Sequence, residues 1–397
     1  MRRRALSRQN ACAVRLPSLI APVCLAAALL PGCASVETSA PAKAGSGGAQ
    51  PGAVSPLRPR ASAAPALGSA AKPSPLPWLK GQTHVHTDRS HDGHTPPQRV
   101  LSYYAARGYD FVALTDHNRV TVLDAPKGLL LLPGVELTQN SKSCDPKPPE
   151  GYRCLIHTTA LFVDPTRVRV GDKRIVFPFV DQRRAAYSAQ MQMAEGWGAI
   201  TVLNHPLFHF AANEKMVHAL SSSGLRFIEL INAGLDQQHP RGRAAAEDRA
   251  EALWDAALTR GARVFALATD DSHHFDDEAD RKRLGKFAYT GDRAWIHVRA
   301  KKELADIRRA LLAGDFYAST GVRLEDVTRT RSEMTVRVSA PQSCSIRFIG
   351  AGGKELARKA CPSASFALGA EPYVRATVVA PDGSKAWLQP VFARKKP

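Results

Sequence analysis

Seven short apolar runs between residues 81 and 268 constrain this chain more than any other feature. They are Gly81–His86, Phe111–Leu114, Leu129–Val135, Leu155–Val163, Ala199–Leu203, Phe227–Ile231 and Val264–Ala268. Amphipathic stretches lie between several of them, at Pro97–Arg107, Gln182–Trp197 and Ala244–Arg260. Short buried strands alternating with helices predict an α/β architecture with parallel strands, and the recurrence predicts closure toward a barrel. Thr95-Pro96-Pro97 is a helix start, with a capping residue ahead of prolines in the first turn. A strand at Ala294–Val298 and a helix at Lys302–Ala313 complete this pattern.

Beyond about residue 322 the helical periodicity stops. Met334–Val338, Ser345–Ile349 and Tyr373–Val379 alternate as half-buried strands do, and Asp382-Gly383 is a hairpin signal. A small C-terminal all-β domain is expected there.

Metal-ligating side chains sit where the predicted strands end. His84 and His86 close the first run. Alternate residues of a strand share a face, so both imidazoles can approach one ion. Asp92 follows in a Gly/His-rich loop. Asp116-His117 follows the second run, Glu136 the third and Asn204-His205 the fifth. Asp270-Asp271-Ser272-His273 follows the seventh, while His157 lies within the fourth. In parallel α/β sheets the carboxyl ends of the strands carry the site. A lone His-x-His or Asp-His step is weak; the ordered recurrence is the signal. Imidazole with carboxylate suits Zn, Mn or Fe, and nine donors exceed what one ion takes, so two or three ions are expected. Such ions share a water, lower its pKa and offset charge on a phosphoryl oxygen.

These residues resemble the PHP (polymerase and histidinol phosphatase) family. The resemblance runs through His84-Val85-His86-Thr87, Ser90-His91-Asp92-Gly93, Thr115-Asp116-His117-Asn118, Gly134-Val135-Glu136, His157, Asn204-His205-Pro206, Glu229–Asn232 and Asp271-Ser272-His273. Gly314–Gly321, Tyr373-Val374-Arg375 and Ala386-Trp387 make it look closest to the CehA/McbA-like branch. The resemblance implies a distorted (β/α)7 barrel and a trinuclear centre. By it, His84, His86, Glu136 and Asp271 hold one ion. Glu136 bridges to a second with His157 and His205, and Asp92, His117 and His273 hold a third. The implied reaction is phosphoester hydrolysis by a metal-bridging hydroxide. Carboxyl or carbamate esters are the enzymatic alternative, and a non-catalytic metal- or anion-binding lipoprotein is the other. A basic rim favours phosphoesters; an apolar cleft favours aryl esters.

Asp116 and Asn204, with Asp270, could orient imidazoles or simply be turn polarity. Glu229 and Asn232 could line the pocket or make structural hydrogen bonds. His91, His94, His209 and His274 read as rim residues. Arg89 and Arg119 could clamp a phosphate or be solvated.

A basic start, an apolar run from Leu19 to Leu30 and then Leu30-Pro31-Gly32-Cys33 resemble a bacterial lipobox. The run is short for a membrane span. The resemblance implies cleavage before Cys33 and lipidation of its thiol, with the outer membrane, facing the periplasm, as the expected location. The chain then divides into a leader (1–32), an Ala/Pro/Ser/Gly tether (33–77), the metallohydrolase domain (78–321) and the β domain (322–397). Formal net charge is +18, and taking away the five leader arginines leaves +13. That suits a small anionic ester or an anionic membrane surface, or is a solvated surface. No nucleic-acid module is recognisable, so nucleic acid is expected only as a substrate end. Cys144 with Cys154, and Cys344 with Cys361, are close in sequence and could pair in an oxidising compartment, although four cysteines allow three connectivities.

Overall fold

The computed structural model describes residues 76–393 except 172–173, 331 and 340–342. The leader, Cys33 and nearly all of the tether lie outside the described residues.

The chain up to residue 319 alternates strands and helices. It runs β1 (Trp78–Gln82), α1 (Pro97–Ala105), β2 (Phe111–Leu114), β3 (Leu130–Ser141), β4 (Cys154–Leu161), α2 (Arg183–Gly196), β5 (Ile200–Leu203), α3 (Glu214–Ser222) and β6 (Phe227–Asn232). Then come α4 (Ala233–Asp236), α5 (Arg243–Thr259), β7 (Phe265–Thr269), α6 (Asp277–Leu284), β8 (Trp295–Arg299), α7 (Leu304–Ala313) and β9 (Phe316–Ser319). Seven further strands follow: β10 (Leu324–Arg329), β11 (Glu333–Val338), β12 (Ser345–Ile349), β13 (Glu355–Ala360), β14 (Ser363–Ala367), β15 (Tyr373–Val379) and β16 (Lys385–Phe392). The predicted runs and helices fall within a few residues of these elements. Pro97 opens α1 at its first turn, where a missing N–H costs nothing.

The sheet differs from the expectation in two ways. First, it is mixed. β3 and β4 form an antiparallel pair, as do β4 and β5, so no crossover helix separates β3 from β4. The Cys144–Cys154 disulfide closes the loop between them. Second, the barrel does not close as a ladder. Thirteen strands form an open sheet in the order β13-β12-β15-β16-β9-β8-β1-β2-β3-β4-β5-β6-β7. The cause lies at β1. Its edge from Trp78 to Gly81 is taken by antiparallel β8, which leaves no ladder position for β7. Only beyond that pairing does the chain after β7 reach the chain after β1, through the single bridge between Val85 and Ser272. The side chain of Gln82 spans the gap. Its Oε1 accepts from the N–H groups of Thr83, His84 and Asp270, and its Nε2 donates to the Ala294 carbonyl. Gln389 of β16 does the same further along. It donates to the Ala266 carbonyl and accepts from the Ala266 N–H, both at 2.8 Å, so the edge of β7 meets side-chain amides there.

The C-terminal strands β12, β13, β15 and β16 join the large sheet through β9, while β10, β11 and β14 form a separate three-stranded sheet. Met334 and Val336 of the small sheet pack with Ile346, Phe348 and Val378 of the large one. The Cys344–Cys361 disulfide ties β12 to the chain before β14. Both sequence-close cysteine pairs are therefore bonded.

Candidate metal centre

All nine expected residues converge on one site, buried except at Asp92, whose side chain is 41% exposed. Within each of three groups the donor atoms lie within 4.8 Å of one another: His86, Asp92, His117 and His273; His84, His86 and Asp271; Glu136, His157 and His205. His86 belongs to two of them. Glu136 lies between groups, with its oxygens 3.6 Å from His84 Nε2, 3.5 Å from His86 Nε2, 2.6 Å from His117 Nδ1, 3.0 Å from His157 Nδ1 and 3.5 Å from His205 Nε2.

The strand ends hold this geometry through backbone bonds. Asp271 N–H donates to the His84 carbonyl, His86 N–H to Ser272, Thr115 N–H to Val85 and Glu136 N–H to Thr115. These bonds stitch the segments that follow β1, β2 and β7 to one another and to Glu136, which lies within β3 rather than beyond its end as the sequence pattern predicts, because β3 runs on to pair with β4. His157 also lies within its strand. It sits mid-strand on antiparallel β4, opposite Thr138 of β3, so it reaches the site from a strand face rather than a strand end. Asp92 depends on Gly93. A Cβ at Gly93 would lie 2.0 Å from the Thr87 carbonyl oxygen, so only glycine lets the loop fold back there.

Neighbours fix the imidazole tautomers. Glu229, an acceptor only, lies 2.5 Å from His84 Nδ1. Ser90 Oγ donates to Asp116 and so accepts from His86 Nδ1 at 2.8 Å. Thr138 Oγ1 donates to the Glu136 carbonyl and accepts from His117 Nδ1. His273 Nδ1 donates to the Asp271 carbonyl at 2.9 Å. His84, His86 and His273 therefore turn Nε2 inward, and His117 does so toward Asp92 while its Nδ1 also lies 2.6 Å from a Glu136 oxygen. His84 Nε2 and His86 Nε2 stand 3.0 Å apart, each within about 3.2 Å of Asp271 Oδ1. His117 Nε2 and His273 Nε2 face Asp92 Oδ2 at 3.3 and 3.5 Å. His157 is reversed. Its Nε2 meets Asn140 Oδ1 at 2.7 Å, which leaves Nδ1 toward Glu136. Fixing one ring nitrogen so that the other presents a lone pair is how proteins prepare histidine for a cation.

The charge balance is equally specific. Burial works against ionising Glu136 and Asp271, yet the surrounding imidazoles hold both well below the usual carboxylate range. Burial also opposes protonation of His84, but Asp271, Glu229 and Glu136 keep it well above its ordinary value. His117 is raised to about 10 against its burial, by Glu136 and Asp92. His86 is driven down to about 3 by burial and by its cationic neighbours His273 and His117. These opposed shifts follow from imidazoles and carboxylates packed against one another away from water. Imidazole nitrogens with carboxylate oxygens, buried and converging, fit Zn, Mn or Fe.

The remaining sequence-predicted residues separate cleanly. Asp116 is buried and accepts from Thr87, Ser90 and Thr121; it reaches His86 only through Ser90. Asn204 Nδ2 donates to Glu136 Oε1 at 2.8 Å while its Oδ1 accepts from Thr159 N–H, so it aims the central carboxylate. Asp270 touches no imidazole. It accepts from the N–H groups of Asp292, Arg293 and Ala294 and from Tyr104, and so holds the loop before β8. Glu229 and Asn232 both border the site: Asn232 Nδ2 donates to Glu229 and to Asp271 Oδ2. His209 lies outside the cluster, with Nδ1 accepting from Arg153 N–H, and His274 Nδ1 accepts from Tyr289 N–H. His91 is exposed beside Asp92. Thr138 and Asn140 had no motif to mark them; their signal is the period-two spacing from Glu136 along β3, which puts all three on one face.

No protein-family profile matches the chain, and no curated protein matches it. Among solved structures it is similar to a two-domain protein from Bacteroides vulgatus described as containing a predicted PHP-like metal-dependent phosphoesterase. Identity is 17%, coverage is 82% of this chain and 98% of that one, and the TM-score is 0.43. It is also similar to an amidohydrolase from Chromobacterium violaceum with bound sulfate and no metal, at 15% identity, 50% and 89% coverage and a TM-score of 0.32.

Proposed function

We propose that this chain is a metal-dependent hydrolase acting on phosphate esters, with two or three divalent ions held by His84, His86, Asp92, His117, Glu136, His157, His205, Asp271 and His273. One observation carries the reading. His84, His86 and His273 have Nδ1 committed to fixed acceptors and Nε2 turned into one buried, carboxylate-lined space. Ions bound there would lower the pKa of a shared water and offset charge building on a phosphoryl oxygen. The chain's own contribution is orientation. Glu229 and Ser90 set His84 and His86, Asn204 aims Glu136, and Gly93 admits the Asp92 loop. Burial excludes bulk water, which strengthens every charge interaction inside. A carboxyl- or carbamate-ester substrate is a second reading, favoured by an apolar cleft bordering His205. At the cell, the leader and Cys33 support a lipid-anchored envelope enzyme, facing the periplasm from the outer membrane.

The test is hydrolysis of p-nitrophenyl phosphate by the purified chain after chelation, with Mn or Zn restored. Turnover should return with metal and be absent in His84→Ala. Turnover that ignores the chelator, or survives in the variant, would contradict the site. Metal-loaded protein that cleaves an aryl carboxyl ester and not the phosphate would move the substrate to the second reading.

A further inference from the structure

Ten large apolar side chains are exposed among the described residues, and six of them fall in four loops near the metal centre: Val122, Tyr152, Val170, Val176, Phe179 and Phe210. One loop follows His117, one joins β3 to β4, one joins β4 to α2, and one follows His205.

Backbone contacts join these loops into one band. Gly171 N–H donates to the Val120 carbonyl at 3.1 Å, and Ile175 N–H to that of Asn118 at 2.7 Å. Further along, Asp145 N–H donates to the Asp181 carbonyl and Arg183 N–H to that of Asp145, both at 2.9 Å. The Cys144–Cys154 disulfide carries the band on toward Tyr152, whose ring meets that of Phe210 edge to face, with centroids 4.8 Å apart. The exposure follows from alternation. Ile175 and Phe177 pack against the cluster of Val120 and Val135, so Val176 between them points to solvent and is 87% exposed. Apolar surface gathered in this way marks an interaction site.

Charge decides what covers it. Segments 118–124, 142–153 and 164–184 carry ten Lys and Arg against six Asp and Glu. Arg153, Arg169, Arg174 and Arg184 are exposed along the band, and no carboxylate among the described residues pairs with them. Protein interfaces deplete charge at their centre, and here arginines stand among the exposed apolar side chains. That mixture suits a bilayer. Apolar side chains enter the acyl boundary while arginines reach the phosphate headgroups.

We propose that this band docks onto an anionic lipid bilayer, with Val176 and Phe179 inserted and Arg169 and Arg174 on lipid phosphates. The inference stands on the band alone and needs neither a lipid on Cys33 nor the hydrolase reading. Because the band borders His117 and His205, docking sets the metal centre beside the bilayer surface.

The test is hydrogen–deuterium exchange of the full chain with lipid vesicles, read by mass spectrometry. Vesicles of phosphatidylethanolamine with phosphatidylglycerol are compared with vesicles of phosphatidylcholine alone. On the anionic vesicles exchange should slow in segments 118–124, 142–153 and 164–184, and stay unchanged in the C-terminal strands. Val176→Ser combined with Phe179→Ser should abolish that protection. Arg169→Gln and Arg174→Gln should each raise the lipid concentration for half-protection about fivefold, the scale of one cation at an anionic surface. Should the serine pair fail to fold, the two exposed arginines test the same surface. Absence of protection on anionic vesicles would overturn the proposal, as would equal protection on phosphatidylcholine or protection that survives in every variant. Protection that grows with protein concentration without lipid would overturn it in favour of a second copy of the chain. None of these readouts depends on bound metal or turnover.

Discussion

Glu136→Gln loses metal and activity together. The substitution keeps the side chain's shape, and Asn204 can still donate to the amide oxygen, so the fold should survive. What changes is the charge at a carboxylate whose oxygens lie within 3.6 Å of five imidazoles. A glutamine amide presents one oxygen and an NH2 group that only donates, so it cannot offer an oxygen to each of two ions. Partners that merely orient a ligand already cost about 10–100-fold in metal affinity or activity. A central bridging ligand should cost more than about 100-fold on the same scale. Elemental analysis by plasma mass spectrometry, with p-nitrophenyl phosphate turnover on the same sample, checks this. A variant that keeps its full metal content and activity would remove Glu136 from the centre.

Arg375→Met destabilises the fold without touching the metal site. Arg375 is 1% exposed and lies on β15. Its Nε and Nη2 bond the two oxygens of Asp255 at 2.7 Å each, Nη2 also bonds Glu251 at 3.0 Å, and Nη1 bonds Thr377 Oγ1 at 2.8 Å. The guanidinium also lies 4.9 Å from the centroid of the Trp254 ring. Beside it, Lys385 of β16 pairs with Glu247 at 3.1 Å and Glu251 at 3.4 Å. Glu247, Glu251 and Asp255 recur every four residues along α5 and so share one helix face. This network joins the C-terminal strands β15 and β16 to helix α5. Methionine fills much of the volume but leaves the buried Asp255 carboxylate without its cation, while Glu251 keeps Lys385. Breaking such a pair costs about 3–5 kcal/mol, because the uncompensated charge stays behind. Urea unfolding should show the loss, and metal content should be unchanged. A denaturation midpoint equal to wild type would contradict the assigned role. A double variant, Arg375→Met with Asp255→Leu, should recover part of the loss, since it removes the stranded charge.

The same helix face explains a limit of the sequence reading. Acidic residues at four-residue spacing normally mark a solvated face, and nothing local announces that Arg375 and Lys385 arrive from strands more than a hundred positions away. Pairing across the sheet was hidden for a related reason. The apolar runs mark each strand, but β4 carries the same composition whether it runs parallel or antiparallel. Only the disulfide-closed loop between β3 and β4 separates the two, and it places His157 mid-strand. Barrel closure failed as an expectation because β8 occupies the edge of β1, a competition that periodicity does not encode. The side chains that converge, by contrast, were legible. His84, His86, His117, His205, Asp271 and His273 follow their strands by a few residues, and strand ends converge in any α/β sheet of this kind. The partners that aim them were not. Ser90, Thr138, Asn140 and Glu229 act through ordinary hydroxyl, amide and carboxylate groups whose role exists only once the rings are in place.

The most direct test of the account is the metal stoichiometry of the chelated and reloaded chain. It is measured by titrating Mn or Zn against metal-free protein with calorimetry, and then by elemental analysis after removing free ions. Two or three tightly held equivalents per chain are expected, with His84→Ala and Asp271→Ala each lowering the count. A wild-type chain that retains less than one equivalent, with its fold intact, would contradict the central claim.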